Sequence, residues 1–408
     1  MAGLLALNDD VLAEILVRVP SPLDLAHASA ACVSFRRVAS SARFVRRFRS
    51  LHAPLPLGVL CPDGAAFHPA LPPHPSGAAA RALMVAADFS FSFLPSPVRA
   101  WLLRDHRDGR FLLDRALAGS TTFTEIAVCD PLFRRHVLLP PIPGDLAASV
   151  GKPYVQRGGD GGLQSRSRSS EIFLASWGSV DGGEEPSFSV IWMACCRGKL
   201  VAFFFSSEAQ QWHALSPPEH YALSMRRVMG VRLGQRNHAH GCFYWMITLT
   251  HRWLVLDARR MEFSVVDISP ILSGRAMMFS NQITTLESRD GRTIIVVADV
   301  FRSDKRCVLY LYMFTYFSDR WQFQSKITLP EEWGYRFRGI IGASEESLFI
   351  KLDHPKQNLG DPVEQNVTYF TFHIKTMQLG RFCEISSVTV NEAYLYTGFP
   401  LSQSLPSV

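Results

Sequence analysis

The stretch LDARRMEFSVVDISP (residues 256–270) holds a small polar turn, a strand that ends apolar and a closing proline, and it does not stand alone. The same order returns at CDPLFRRHVLLPPIP (129–143), SSEAQQWHALSPPE (206–219) and TYFSDRWQFQSKITLP (315–330). The prolines Pro140, Pro217, Pro270 and Pro330 are 77, 53 and 60 residues apart, and the widest gap contains the Gly, Ser and Arg run 157–170. A unit of roughly 50 to 60 residues with about four strands is what a β-propeller blade requires. Roughly 350 residues of such units make about six blades, plus or minus one. An array of β-sandwiches is the main alternative, but sandwiches do not need this recurrence.

Working outward from these phrases, aromatic and β-branched runs continue the pattern: Phe123 to Val128, Ile172 to Trp177, Phe188 to Met193, Leu200 to Phe205, Phe243 to Leu249, Trp253 to Leu256, Phe263 to Val266, Thr293 to Val297, Val308 to Phe314, Leu348 to Leu352 and Val367 to Phe372. Gly, Pro, Asp and Ser bound them. Of the 46 aromatic residues, 42 follow residue 88, so the amino-terminal part is a different kind of structure. Seven prolines between Pro54 and Pro75, interrupted by Leu57 to Cys61, suit a linker running into a first strand, which sets a boundary near residue 50. The reading is a mainly β chain: helices in 1–50, a propeller-like region in 51–400 and a tail in 401–408.

Before the boundary the period is helical. Val11, Leu12, Ile15, Leu16 and Val19 share one face, and Asn8 can cap the start. A second helix begins with Ser21 as cap and Pro22 at the first position, with Asp24 completing a box-like pattern. A third, Ser34 to Ser40, presents Phe35 and Val38, followed by a basic flank of Arg43, Arg46, Arg47 and Arg49. Three short helices bury too little surface to stand alone, so their apolar faces need a partner.

Composition excludes several classes. The 408 residues are 47% hydrophobic and 19% charged, as in globular proteins. No apolar run approaches the ~18 to 20 residues that cross a bilayer, and the amino terminus meets Asp9 and Asp10 too early for a signal peptide. A cytoplasmic or nuclear protein is expected. Eight scattered cysteines without a CxxC pair read as reduced, packed thiols. The net charge of +6 is uneven but mild, +3 in residues 1–50 and +3 in the other 358, and by itself says little about partners; nucleic acid is not expected.

No nucleophile elbow, HExxH, phosphate loop or GxGxxG is present, so no catalytic residue and no cofactor are assigned. His238, His240 and Cys242 alternate as zinc ligands on a strand could, but RNHAHGC reads as an exposed turn lacking a fourth ligand, and no metal is expected there. QSRSRSS (164–170) after GGDGG reads as a flexible insertion with a lesser possibility of a phosphorylated site. Trp245, Trp253, Trp321 and Trp333 read as packing between strands rather than as a ligand cage.

The first 40 residues resemble the F-box. The positions that carry the likeness are Leu7, Asn8, Asp10, Leu12, Ile15, Leu16, Arg18, Val19, Pro20, Leu25, Ala31, Cys32, Phe35 and Arg36. Asn8 stands where the family has proline and Phe35 where it has tryptophan, which implies a weakened rather than a lost module. The remainder resembles the β-propeller-type associated region of plant F-box proteins through VCDPLFRRHVLLPPIP, GCFYW (241–245), LVLDARRMEFSVVDISP and WQFQSKITLP. Glycine doublets lack the spacing of kelch repeats. The resemblance implies the target-recognition subunit of an SCF-type ubiquitin ligase. Leu7, Asn8, Val11, Leu12, Ile15, Leu16, Pro20, Leu23, Leu25 and Phe35 would then bind a Skp-type adaptor that bridges to a cullin, and the propeller would bind an unnamed target protein. Two alternatives stay open: a propeller that serves as an interaction platform without a ligase, and a propeller hydrolase or oxidase, for which a polar His, Asp and Tyr cluster at the axis would be diagnostic.

Overall fold

The computed structural model describes residues 8–61, 66–97, 100–117, 122–151, 170–175, 187–196, 199–216, 233–247, 250–272, 283–288, 292–303, 306–317, 320–329, 336–344, 347–353, 366–386 and 393–401. Residues 157–169 of the Gly, Ser and Arg run, and Trp333, Pro217 and Pro330, lie outside these residues. No helix among them is long and apolar enough to cross a membrane.

Four helices open the chain, one more than the sequence pattern gave: α1 (Asp9–Leu16), α2 (Pro22–Ala31), α3 (Val33–Ala39) and α4 (Ala42–Leu51). Asn8 caps α1 by accepting from the Asp10 and Val11 amides at 2.6 and 3.2 Å. Ser21 caps α2 by accepting from the Asp24 amide at 3.1 Å and donates its hydroxyl to the Asp24 carboxylate at 2.8 Å. The run expected as a solvated basic flank is the amphipathic α4: Ser41 caps it, its arginines mostly face water, and Phe44, Val45 and Phe48 are buried. Phe44 and Phe48 join Leu12, Leu16, Val17, Leu25, Val38 and Ala39 in one core. The fourth helix therefore supplies the cover that three helices lacked.

The rest is a six-bladed β-propeller, with α5 (Gly77–Ala86) as a short helix against its first strands. Blade I has β3 (Leu102–Arg107), β4 (Arg110–Ala116), β5 (Thr124–Asp130) and β6 (Arg135–Leu138). Blade II has β7 (Glu171–Ala175), β8 (Ser189–Cys196), β9 (Lys199–Ser206) and β10 (Gln211–Leu215). Blade III has β11 (Leu233–Ala239), β12 (Cys242–Ile247), β13 (Arg252–Asp257) and β14 (Glu262–Asp267). Blade IV has β15 (Ile283–Glu287), β16 (Thr293–Ser303), β17 (Arg306–Phe317) and β18 (Arg320–Leu329). Blade V has β19 (Arg336–Ser344), β20 (Ser347–Asp353), β21 (Asn366–His373) and β22 (Gln378–Ser386).

Blade VI is assembled from both ends of the ring. The strand after the helices, β1 (Leu55–Cys61), lies between β2 (Ala66–Pro69) and the last strand, β23 (Tyr394–Gly398), with Val59 opposite Leu395 and Leu60 opposite Tyr394. The proline-rich stretch contains the first strand that the sequence suggested, and that strand belongs to the clasp of the last blade rather than to the first blade. His106 Nε2–H of β3 donates to the Leu395 carbonyl of β23 at 3.0 Å, which joins blade I to blade VI and completes the circle.

Each strand sends alternate side chains to opposite neighbours, and both directions are apolar. In β8, Val190, Trp192, Ala194 and Cys196 face blade I, whereas Ile191, Met193 and Cys195 face blade III. In β13, Leu254 and Leu256 pack toward blade II, Trp253 and Val255 toward blade IV. Burial on both faces is why these runs are continuously apolar rather than alternating. None of the described cysteines forms a disulfide, and five of them are buried.

The recurrent phrases are the third-to-fourth-strand hairpins of the blades. Asp130 and Asp257 each turn the chain by accepting two backbone amides, from Leu132 and Phe133 and from Arg259 and Arg260. Arg134, Gln210, Met261 and Met377 follow at φ 53° to 60°. Trp212, two positions after Gln210, and Trp321 in the outer strand of blade IV donate their indole N–H to the carbonyls of Pro140 and Asp267, each at 2.8 Å and each in the preceding blade's terminal segment. Blade V has the same hairpin around Met377, which the sequence reading missed because neither an acidic turn residue nor a closing proline marks it.

Gly58 tests the clasp. A Cβ there would stand 2.3 Å from the His68 carbonyl oxygen and 2.7 Å from the Phe67 ring. Gly58→Ala must shift backbone, and a loss of about 1 to 3 kcal/mol is expected in urea unfolding, with a lower melting temperature. Unchanged stability would contradict the close approach of β1 to β2.

Candidate functional site

Among the described residues, two places are built from side chains that packing alone does not require. One is the surface of the helical module; the other is a charged cluster at the propeller axis.

On the module, the structure divides the residues expected to meet a partner. Leu12, Leu16 and Leu25 are 2%, 3% and 0% exposed and form the module's own core. Leu23 and Phe35 are half-buried, Phe35 against that core, and Asn8 is occupied as a cap. Val11 and Ile15, one turn apart on α1, are each 44% exposed, and Pro20 is exposed. Val33, at the start of α3, is 80% exposed. Leu7 lies outside the described residues. The apolar stripe of α1 was broader than its buried part. Leu12 and Leu16 turn inward onto α3 and α4, and Val11 and Ile15 are left outside.

Ion pairs hold this surface in shape. Arg47 of α4 makes a two-pronged pair with Glu14 of α1, and Arg37 of α3 bonds Asp9 at 2.6 Å. His52 stacks on Phe48 with centroids 3.9 Å apart and donates from Nε2 to the Val17 carbonyl at 2.8 Å.

At the axis, the innermost strands of three blades contribute charge. Arg236 of β11 reaches Asp105 of β3 at 2.6 Å and Glu171 of β7 at 2.7 Å, and lies over the Phe173 ring at 4.5 Å. Each acid has a further donor: the Leu174 amide at 2.8 Å for Asp105, and Trp245 Nε1 at 2.9 Å for Glu171. Burial raises the Glu171 pKa, against the pull of Arg236 and the indole. Beside them, Arg107 donates to His238 Nε2 at 3.0 Å and lies over Phe243 at 5.0 Å.

This places His238 on an inner strand within the cluster, not in an exposed loop. Only His240 and Gly241 form the turn, at φ 50° and 79°. The His240 amide donates to Glu287 at 2.7 Å and its ring Nε2 meets the Arg292 carbonyl at 3.1 Å. Among the described residues no three His, Cys, Asp or Glu converge on a point that could hold a metal ion. Burial, then Arg107, Arg236 and His240, push the His238 pKa well below its ordinary value, so the ring is neutral and accepts from the guanidinium.

Trp245 and Trp253 are buried and Trp321 joins two blades, in keeping with packing roles. What the sequence reading missed is that Asp105, Arg107, Glu171 and Arg236 act together. They are 131 positions apart at the extremes, and no local spacing links them.

No family model and no curated protein matches this chain. Solved structures do. The N-terminal domain of Nup159 is 11% identical over 69% of this chain and 60% of that one, with a TM-score of 0.29. The WD40 domain of SCAP from fission yeast is 8% identical over 74% of each chain at 0.34. A puromycin-hydrolysing peptidase of Mycobacterium tuberculosis is 12% identical over 81% of this chain and 41% of that one at 0.36. At such scores the likeness carries no functional argument, and the fold rests on the sheet topology above.

Arg236→Met would leave two largely buried carboxylates without their shared cation. A loss of about 3 to 5 kcal/mol is expected in denaturant unfolding, with Arg236→Lys recovering part of it; a loss under about 1 kcal/mol, the worth of an exposed pair, would contradict the burial described. His238 gives a pH signature. The native state keeps this ring neutral while an unfolded histidine takes a proton near pH 6.5, so its contribution is present at neutral pH and is lost as pH falls below that value, by at most about 1.4 kcal/mol per pH unit. His238→Gln should flatten the decline in stability between pH 7.5 and 5.5 relative to wild type. Parallel profiles for the two proteins would show that the ring protonates freely in the native state.

Proposed function

We propose that this chain is the target-binding subunit of an SCF-type ubiquitin ligase, with the helical module docking a Skp-type adaptor, and through it a cullin, while the propeller holds the protein to be modified. The observation that carries this reading is the position of Val11, Ile15 and Val33: apolar and exposed on α1 and α3, in a module whose own core is already complete. The pattern from Asn8 to Arg36 that resembles an F-box supplies the identity of the partner. Such a subunit acts by proximity, holding a target lysine near a charged conjugating enzyme. The module sits at the end of the propeller that carries the Asp108–Gly109 and Asp130–Phe133 turns, since these residues and Arg49 of α4 line one cleft. The target would take the opposite end.

The axis cluster is the observation that would favour a hydrolase or oxidase, and its bonding favours another role. Both carboxylates are engaged by Arg236, and His238 Nε2 is engaged by Arg107, so the groups that would handle protons are bonded to each other. Three blades tied by one guanidinium make a staple for a rigid platform. A platform that works without a ligase shares every feature but the adaptor contact.

The test is Ile15→Asp. Because Ile15 is outside the module core, the variant should fold. A charge set into an apolar contact costs a few kcal/mol when unpaired, so capture of adaptor and cullin should fall below detection in a paired pull-down, while the variant's melting temperature stays within about 2 °C of wild type. Undiminished capture by the folded variant would sink the adaptor assignment, and a wild-type protein that captures no adaptor would leave the platform as the function.

A further inference from the structure

The segment that leaves the last strand runs between two cores. Phe399, the residue after β23, packs against the helical module's core of Leu12, Leu16, Phe44 and Phe48. Leu401, two residues on, packs against the propeller core that includes Leu57, Phe67, Phe111 and Tyr396. Pro400 between them is buried. Arg49 near the end of α4 lies over the Phe399 ring at 4.9 Å, and burial lowers its pKa against the pull of Asp108, Tyr396 and Asp130 on blades I and VI. Gly398, beside this wedge, pairs with Leu55, and a Cβ on it would stand 3.2 Å from Leu57 Cδ1, so the strand pair is closely fitted where the wedge begins.

We propose that closure of the propeller ring and docking of the helical module are one conformational device, with Phe399 as its coupling residue. While β23 is clasped to β1, Phe399 is delivered into the module and α1 to α4 move with the propeller as one body. When β23 leaves the clasp, Phe399 leaves the module core with it, and the helices are released to pivot about residues 52 to 54. The chain enters the ring directly from α4, so the clasp is also the point where the module is tethered: the two ends of the propeller hold the module from both sides. A regulator that pulls on the carboxy-terminal strand would therefore change the orientation of the module without touching it. This inference does not depend on which partner the module binds.

Hydrogen exchange of the full-length chain followed by mass spectrometry separates the possibilities. Phe399→Ala keeps the strand pairing and removes the ring from the module; amides of α4 and α1 should exchange at least tenfold faster, while those of β12 and β13 keep their wild-type protection. Leu395→Asp weakens the clasp itself through a residue of the propeller core rather than of the module core, and amides of β1 and of α4 should then accelerate together. Module amides that hold wild-type rates in either variant would overturn the coupling. If Phe399→Ala does not accumulate as folded protein, Phe399→Leu, which retains an apolar side chain without the ring, should show the same α4 acceleration in smaller degree, and an unchanged α4 would again overturn it.

Discussion

The pairing of β1 with β23 is the interaction on which the rest of this molecule depends. Every blade is apolar on both faces, and a row of such sheets would expose two large apolar faces at its ends. Closing the row into a ring removes them, and here the ring is closed by backbone hydrogen bonds between the strand that follows the helices and the strand that ends the propeller. His106 at the Leu395 carbonyl and Tyr396 against Phe111 then weld blade VI to blade I. Pro56 fits in β1 because it lies beyond the stretch paired with β2, at a register shift where the ladder to β23 is already interrupted.

Around the ring, blades are joined differently at different radii. In the body of the seams, aliphatic and aromatic side chains interdigitate, with Phe173, Phe243 and Trp245 between blades II and III and Trp192 against Phe123 and Phe203 between I and II. At the rim, the indoles of Trp212 and Trp321 reach back to a carbonyl of the previous blade. At the axis, where inner strands converge and side chains are crowded, arginines and acids span three blades. The first term is large and nondirectional, whereas the other two are directional and fix how far one blade rotates against the next. A platform that presents a constant face to another protein needs both.

Much of this was legible in the amino-acid sequence. The 256–270 phrase and its echoes defined the blade, because a turn that closes through Asp130 or Asp257 and a rim strand facing a neighbour are local requirements that recur with each repeat. The helix starts at Asn8 and Ser21 were equally local, since a cap involves residues two or three positions apart. The module surface was only half legible. Helical periodicity placed Leu12, Ile15 and Leu16 on one stripe, but which part of a wide stripe is buried depends on the crossing of α3 and α4, whose positions no period in α1 encodes.

The sequence by itself therefore determined the repeat, the strand-rich character and the capped helices at the amino terminus, because each is set by interactions between near neighbours in the chain. Tertiary structure alone decided the rest. Strands β3 and β11, written LLRDHR and LGQRNHA, carry little of the apolar signal of a strand because their charged side chains are paid for by one another across the axis, and that pairing exists only once the ring brings residues 105, 171 and 236 together. The same holds for the clasp and for Phe399: residues some 340 positions apart become partners because a closed ring must bring its two ends to one place.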